Sequence, residues 1–239
     1  MRILIATPCF HSEIFADYAG SLLNTLKYCA AQSIEAELYF LKGSSSIGSA
    51  RNTCASYAMR GAFDKLFFID ADQVWSPEQA GLLLSSKRTL IGGTYCKKEH
   101  PLRLNFNPLP EHGAKYGKLQ VPENYGKWAQ QEADESGEVE VRHIPTGFML
   151  IDCSVLHALK EGCPTYLSPD TPGEEDVRHY DFFPSGVLQG RYETEDWFFC
   201  SIAKEAGHAP YLQTKVIVDH LGLYNYRLER AFTRKDNPK

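Results

Sequence analysis

Several features that would place this chain in a special class are missing from its sequence. It has no apolar stretch near the roughly 20 residues that a membrane-spanning helix needs, and the run that starts at Met1 stops at Thr7-Pro8, too early for a secretory signal. The seven cysteines are scattered without a C-x-x-C pair, so neither a disulfide framework nor a zinc site is indicated. These absences predict a soluble protein of a reducing, cytoplasmic compartment, which would be the host cytoplasm if the chain is viral.

A strong excess of one charge is also missing. The formal net charge is −5 over 239 residues, and 43% hydrophobic with 23% charged residues is ordinary globular usage. This balance disfavours a protein whose affinity comes from wrapping nucleic-acid phosphates. The sequence has no internal repeat, and its length allows one large domain or two small ones; we predict one.

Predicted strands and helices alternate along the chain. The run "LFFI" at 66–69 is apolar without alternation, which is typical of a strand buried on both faces of a sheet. Other strands are predicted at 2–7, 35–41, 89–96, 143–152 and 211–222, and helices at 14–32, 49–59, 154–160 and 194–208, with one more starting at Ser76. This order predicts an α/β fold with a mostly parallel central sheet flanked by helices.

Three stretches depart from that alternation. Residues 98–142 are rich in Pro, Gly, Lys and Glu, and we expect a β-hairpin or lid because structureless loops of this length are uncommon. Residues 163–192 are irregular and rich in aromatic residues, which could stack on sugar rings but more often belong to a core. Residues 226–239 form a basic tail.

Polar side chains follow two of the predicted strands. Asp70 and Asp72 come directly after one strand, and His220 ends another. Ligands of open parallel sheets bind beyond the carboxyl ends of the strands. If the chain stays extended directly after the strand, the two carboxylates could hold one divalent ion, and a histidine as third ligand would suit Mn²⁺. An Asp-x-Asp pair is also common in turns and helix caps. Whether this pair is functional is therefore judged from the other motifs in the sequence.

The Asp-x-Asp pair is one of several short motifs that follow each other along the chain. "IGSARNTCASYAM" is followed by "DKLFFIDADQVWSPE", and later by Glu195-Asp196 and Asp219-His220. In this order the chain resembles the nucleotide-sugar glycosyltransferases with the GT-A fold, particularly the large inverting family with many polysaccharide and viral or phage enzymes. The resemblance spans residues 1–225 and implies a single Rossmann-like GT-A domain. Its nucleotide-sugar-binding half would be 1–97, and its acceptor and catalytic half 143–225.

The resemblance implies a role for each matching residue. The nucleotide-sugar-binding residues would be Thr7, Pro8, Arg51, Asn52, Asp70, Ala71, Asp72 and Gly147. Asp70, Asp72 and His220 would bind Mn²⁺, or Mg²⁺ in its place. Asp196 would be the general base that takes a proton from the acceptor hydroxyl, while Glu195 could be either that base or a partner in capping the helix.

The resemblance also implies a nucleotide-sugar donor, with UDP-sugars slightly favoured, and an acceptor that is a glycan, a glycoprotein, a lipid or modified DNA. A retaining enzyme of the same fold and a catalytically silent nucleotide- or carbohydrate-binding module stay open as alternatives. A sugar-phosphate nucleotidyltransferase is disfavoured, because "TPCFHSEIF" stands where a glycine-rich signature with Arg and Lys would be expected.

Overall fold

The computed structural model describes residues 1–119, 122–167, 176–188 and 190–222. The predicted basic tail, 226–239, and residues 168–175 of the aromatic-rich stretch lie outside the described residues. No helix in these ranges is both long enough and apolar enough to cross a membrane.

The strands are β1 (Arg2–Cys9), β2 (Glu35–Lys42), β3 (Lys65–Ile69), β4 (Gln73–Val74), β5 (Leu90–Tyr95), β6 (Glu138–Glu140), β7 (Phe148–Asp152), β8 (Thr165–Leu167), β9 (Arg178–Tyr180), β10 (Gly186–Leu188), β11 (Arg191–Glu193) and β12 (Tyr211–His220). The helices are α1 (Ala16–Ala31), α2 (Ile47–Arg60), α3 (Pro77–Leu84), α4 (Pro110–Tyr116), α5 (Pro122–Glu132), α6 (Cys153–Leu159) and α7 (Glu195–Glu205).

A mostly parallel sheet forms the centre of the molecule. Its order in the described part of the chain is β2-β1-β3-β7-β5-β12-β4, and β6 also pairs with β12. Strands β2, β1, β3, β5 and β12 run in one direction, whereas β7 runs against its neighbours β3 and β5. The predicted α/β class with a mostly parallel sheet flanked by helices is confirmed, and the arrangement is consistent with a Rossmann-like GT-A domain.

Both faces of the sheet are covered by helices. Along β3, Leu66 and Phe68 pack into a cluster with α2, α5, α6 and α7, while Phe67 and Ile69 pack into a cluster with α1 and α3. All four side chains are fully buried, and each such burial stabilises the fold by about 1.5–3 kcal/mol. The reading of this run as a strand buried on both faces is therefore correct.

Strand β1 continues past the proline that was predicted to end it. Pro8 and Cys9 still pair in parallel with Leu41 and Lys42 of β2. The pairing of β1 with β3 stops earlier, at Ala6, so β1 has a single neighbour at Pro8. A proline is tolerated where its missing N–H faces no partner strand.

In residues 98–142, where a β-hairpin or lid is expected from the sequence, the structure has two helices, α4 and α5, and a role of this insertion as a lid stays a prediction. Pro110 lies in the first turn of α4, where a proline's missing N–H costs nothing. On α5, Tyr125 and Trp128 are one helical turn apart and both are buried, with Trp128 stacked on Phe106 at 5.4 Å between ring centroids. This i, i+3 aromatic spacing is a helical signal, which the Pro- and Gly-rich composition obscured.

Candidate active site

One edge of the sheet brings together the ends of several elements. The parallel strands β1, β3, β5 and β12 end at this edge, and the antiparallel β7 begins there. The N–H of Asp70, just after β3, donates to the carbonyl of Gly147, just before β7, at 3.0 Å. Residues that are distant in sequence therefore meet where ligands of α/β sheets bind.

Asp70, Ala71 and Asp72 form a tight turn instead of the extended exit expected from the sequence. The N–H of Gln73 donates to the Asp70 carbonyl at 3.1 Å. The chain then turns back, and β4 pairs antiparallel with the end of β12. As a result the two carboxylates have different partners: Asp70 meets Arg51, and Asp72 meets His220.

Arg51, on α2, is the buried centre of an ion-pair network. Its side chain is 3% exposed, and its two terminal nitrogens donate to the two Asp70 oxygens at 3.1 and 3.2 Å. Its Nε lies 3.5 Å from Oε1 of Glu195, the first residue of α7. Burial alone would lower the pKa of Arg51, but the charges of Asp70 and Glu195 outweigh it and raise that pKa. One guanidinium thus joins the Asp-Ala-Asp turn to the start of α7.

Asp72 belongs to a second cluster, with His220 and Lys98. Its Oδ2 lies 3.3 Å from Nε2 of His220 and 2.5 Å from Nζ of Lys98. Burial would raise the pKa of Asp72, but hydrogen bonds and charges from His220 and Lys98 lower it to about 2. Asp72 is therefore a permanent carboxylate at neutral pH.

Asp72 and His220 are suited to be the two ligands that the protein itself would contribute to a metal site. Nδ1 of His220 lies 2.9 Å from the Cys96 carbonyl oxygen, which can only accept, so Nδ1 carries the proton. Nε2 faces Asp72 at 3.3 Å, and metal-ligating histidines likewise donate their other ring N–H to a backbone carbonyl or a similar acceptor. No three His, Cys, Asp or Glu side chains in the described ranges are grouped to hold an ion. Asp70, paired with Arg51, does not join the pair, and its part in metal binding stays a prediction.

Asp196 has the features of a proton acceptor. It lies in the first turn of α7, where its Oδ1 accepts hydrogen bonds from the Thr194 hydroxyl at 2.5 Å and the Trp197 N–H at 2.9 Å. Its Oδ2 makes no hydrogen bond to the described residues. Burial, and secondly the negative charge of Glu195, raise the pKa of Asp196 from 3.8 to about 6. A held carboxylate with one open oxygen and a pKa near neutrality suits general-base chemistry.

Asn52 is hydrogen-bonded to three residues of the aromatic-rich stretch. It is 1% exposed, and its amide group donates to Asp181 at 2.8 Å and to Tyr166 at 3.1 Å. Its carbonyl oxygen accepts from the Phe183 N–H at 2.9 Å. Asn52 therefore ties α2 to the aromatic-rich stretch, and its predicted contact with a nucleotide stays a prediction.

Thr7 and Pro8 face different surroundings. Thr7 is 1% exposed, and its hydroxyl pairs with that of Tyr18 in the interior. Pro8 instead lines a small, mostly apolar cavity of about 200 Å³ at the ends of β1 and β2. The other lining residues are Cys9, Phe10, Leu41, Ser44, Ser45, Ile47 and Ala50. A nucleobase is flat and largely apolar on its faces, and a cavity with this lining suits it.

Gly147 lies where no side chain fits. A Cβ at this position would come within 2.6 Å of the Tyr95 hydroxyl oxygen and 2.8 Å of Oδ2 of Asp70. The absence of a side chain lets the backbone approach Asp70 closely. Gly147 thus holds the Asp-Ala-Asp turn in place.

Replacing Gly147 with alanine is expected to push Asp70 away from Arg51 and to lower the free energy of unfolding by about 1–3 kcal/mol, the usual cost of overpacking. Chemical denaturation would measure the loss. Gly126→Ala, in helix α5 with no atom within 4 Å of the added Cβ, is the matched control and should be neutral or stabilising by up to about 1 kcal/mol. Equal effects of the two substitutions would contradict the close approach at Gly147.

Two residues of the site were missed from the sequence, Tyr95 and Lys98. Tyr95 ends β5, and its ring lies 4.7 Å from that of His220 between centroids. Lys98 follows β5 by three residues and reaches Asp72. The strand-end rule that found Asp70 and His220 would have found both residues if it had also been applied to β5.

The aromatic-rich stretch divides into core and surface residues. Phe182 and Phe183 are buried, and Phe183 stacks on Phe199 of α7 at 4.4 Å between centroids. Tyr192, on β11 just before Glu195, is 70% exposed. Most of these rings therefore belong to the core, and Tyr192 presents an open face next to α7.

Comparisons with known proteins give similarity at a low level. No protein-family model matches the chain, and no curated protein matches it. Similar solved structures include a candidate glucose-1-phosphate thymidylyltransferase from Bacillus anthracis in complex with sucrose, 13% identical, with a TM-score of 0.42 and coverage of 100% of this chain and 97% of that chain. Another is a glycosyltransferase involved in glycosylation of the major capsid of PBCV-1, also 13% identical, with a TM-score of 0.24 and coverage of 43% of this chain and 56% of that chain. At these values function is inferred from the geometry of the site alone.

Proposed function

We propose that this protein is a glycosyltransferase that transfers a sugar from a nucleoside-diphosphate-sugar to an acceptor hydroxyl, with inversion at the anomeric carbon. The observation that carries the proposal is the buried Arg51, which joins Asp70 of the Asp-Ala-Asp turn to Glu195 at the start of α7. The network fixes the Asp-Ala-Asp turn, which carries the metal-ligand candidate Asp72, beside the start of α7, which carries the candidate base Asp196, and two-substrate transfer requires such positioning.

The donor would lie along the turn. Its base would occupy the cavity beside Pro8, and its diphosphate would face Asp72 and His220, which would hold Mn²⁺ or Mg²⁺ together with phosphate oxygens. A bound divalent ion would neutralise the charge that develops on the leaving diphosphate. Arg51 keeps Asp70 in position, and the lack of a side chain at Gly147 lets the backbone lie close to Asp70 and Tyr95.

The acceptor would approach from the side of α7. Oδ2 of Asp196 takes the proton of the acceptor hydroxyl as its oxygen attacks the anomeric carbon. The bond from that carbon to the phosphate oxygen breaks, and the diphosphate leaves with the electron pair. The hydrogen bonds from Thr194 and Trp197 keep Oδ1 of Asp196 engaged, so that the carboxylate does not rotate during the transfer. The exposed ring of Tyr192 offers a stacking face to an acceptor sugar.

Calorimetric titration of UDP and GDP, first with Mn²⁺ and then with EDTA, tests the donor half of this proposal. We expect metal-dependent binding of one nucleotide, weakened about 10–100-fold by Asp72→Ala, because a charged contact contributes about 1.5–3 kcal/mol. Asp134→Ala is the matched control: its carboxylate pairs with Arg88 at 2.8 Å, near the start of β12 and away from His220.

Absence of nucleotide binding to the folded wild-type protein would contradict the proposal. Tight binding without transfer to any of a panel of acceptors would favour the silent binding module. Retention of the anomeric configuration in the product would replace the inverting mechanism with the retaining one.

A further inference from the structure

The loop of residues 97–103, directly after β5, is held closed at the candidate site. Cys96 and Leu104 form an antiparallel bridge, and the N–H of Lys97 donates to the Arg103 carbonyl at 2.8 Å. The backbone at the start of the loop is therefore fixed, whereas the side chains of the lysines there can still rotate about their own bonds.

Two lysines of the 97–103 loop reach different parts of the site. Arg103 is paired with Glu99 inside the loop. Lys97 lies 5.9 Å from the centre of the Trp197 ring, next to Asp196. Lys98 is turned the other way, to Asp72.

Lys98 and His220 share one atom of Asp72. Nζ of Lys98 lies 2.5 Å from Oδ2, and Nε2 of His220 lies 3.3 Å from the same oxygen. A metal ion bound by Asp72 and His220 would thus have a unit positive charge beside it. A divalent ion and a unit positive charge about 4 Å apart repel by about 2 kcal/mol even in bulk water and by more near a protein surface, so they do not share one carboxylate oxygen favourably.

We propose that Lys98 is a built-in cation of this site: its ammonium group occupies Asp72 while no metal is bound, and a divalent ion must displace it. The inference rests on the proposed metal and nucleotide site. The lysine is 37% exposed and sits on a flexible stem, so it can leave without unfolding the loop. A nucleoside diphosphate brings phosphate oxygens that accept the displaced ammonium group.

Two consequences follow for binding. The free protein binds Mn²⁺ weakly because each ion has to replace an existing ion pair. Nucleoside diphosphate and Mn²⁺ then bind cooperatively, since the nucleotide supplies a new partner for Lys98 and removes that cost. Lys98 is therefore a positioning and gating residue for the metal and the diphosphate.

The test is titration of Mn²⁺ into the nucleotide-free protein, with free Mn²⁺ counted by its electron paramagnetic resonance signal. We expect Lys98→Met to bind Mn²⁺ about fivefold to tenfold more tightly than the wild type, as expected for removal of a competing ion pair worth about 1 kcal/mol. Lys98→Arg keeps the charge and should stay close to the wild type. Lys115→Met is the matched control, because Lys115 forms a pair of similar length with Glu132 (2.6 Å) outside the site.

The second measurement is the effect of UDP on Mn²⁺ affinity. UDP should strengthen Mn²⁺ binding more in the wild type than in Lys98→Met. Equal Mn²⁺ affinities of the wild type and Lys98→Met would overturn the role of Lys98 and leave the metal site standing. Absence of Mn²⁺ binding in both proteins would overturn this inference and the metal part of the proposed function together.

Discussion

Replacing Asp196 with asparagine is expected to lower kcat by about 10²–10⁴-fold, the contribution of a positioned general base. The reason is the open Oδ2 of a carboxylate whose Oδ1 is already held by Thr194 and Trp197. An amide at this position keeps the size of the side chain and an oxygen that can accept those bonds, but it cannot take a proton. Rates of transfer from the donor identified by calorimetry would measure the loss.

Two comparisons make this prediction specific. The affinity of the Asp196→Asn protein for the donor nucleotide should stay within about twofold of the wild type, because the base acts on the acceptor. Glu195→Gln tests the neighbouring carboxylate, whose Oε1 faces Arg51, and should slow transfer less. A larger loss with Glu195→Gln than with Asp196→Asn would assign the base to Glu195.

The pH dependence of transfer follows from the same carboxylate. Asp196 must be ionised to accept a proton, and its pKa is raised to about 6 by burial and by Glu195. Activity should therefore rise with pH through about 6 and level off above it. This acid limb should be absent from the residual activity of Asp196→Asn.

Stability should change in the opposite sense to activity. Because the folded-state pKa of Asp196 lies above the unfolded value, the folded protein holds this proton more tightly, so the stabilising contribution is fully present below about pH 4 and is lost as pH rises through about 6. At pH 7 the charged, buried carboxylate destabilises the fold, and Asp196→Asn should raise the free energy of unfolding by about 1–3 kcal/mol, at about 1.4 kcal/mol for each pKa unit. Urea denaturation at pH 5 and pH 7 would measure the gain, which should be smaller at pH 5.

Replacing Arg51 with methionine is expected to lower the free energy of unfolding by about 3 kcal/mol, near the lower end of the cost of breaking a buried ion pair. The substitution leaves Asp70 and Glu195 without their shared partner, and these side chains are only 25% and 14% exposed. In a chain of this size, such a loss corresponds to a decrease in Tm of about 6–12 °C. Arg103→Met is the control, because its pair with Glu99 is more exposed and should contribute less than about 1 kcal/mol.

The orphaned charges, and not the lost packing, should cause most of this destabilisation. The double variant Arg51→Met with Asp70→Asn should therefore be more stable than Arg51→Met alone. A double variant that is less stable than Arg51→Met would mean that the packing of the methylene stem carries the effect.

Much of the fold could be predicted from the sequence because its signals are local. The unbroken apolar run at 66–69 identified a strand buried on both faces. Ser76 and Gln79 form a capping box at the start of α3, with Pro77 in its first turn, where a helix starting at Ser76 is predicted from the sequence. The failure in residues 98–142 has a local cause as well, since Tyr125 and Trp128 carried a helical period that composition outweighed.

The sequence by itself determined which residues gather at one edge, since the ends of parallel strands must meet there. It could not determine which carboxylate faces which partner. Asp70 and Asp72 are separated by one residue, and only the pairing of β4 with β12 turns the chain so that Asp72 meets His220 while Asp70 meets Arg51. The raised pKa of Asp196 and the contact of Lys98 with Asp72 likewise come from tertiary structure, because burial and charge proximity depend on segments that no local pattern connects.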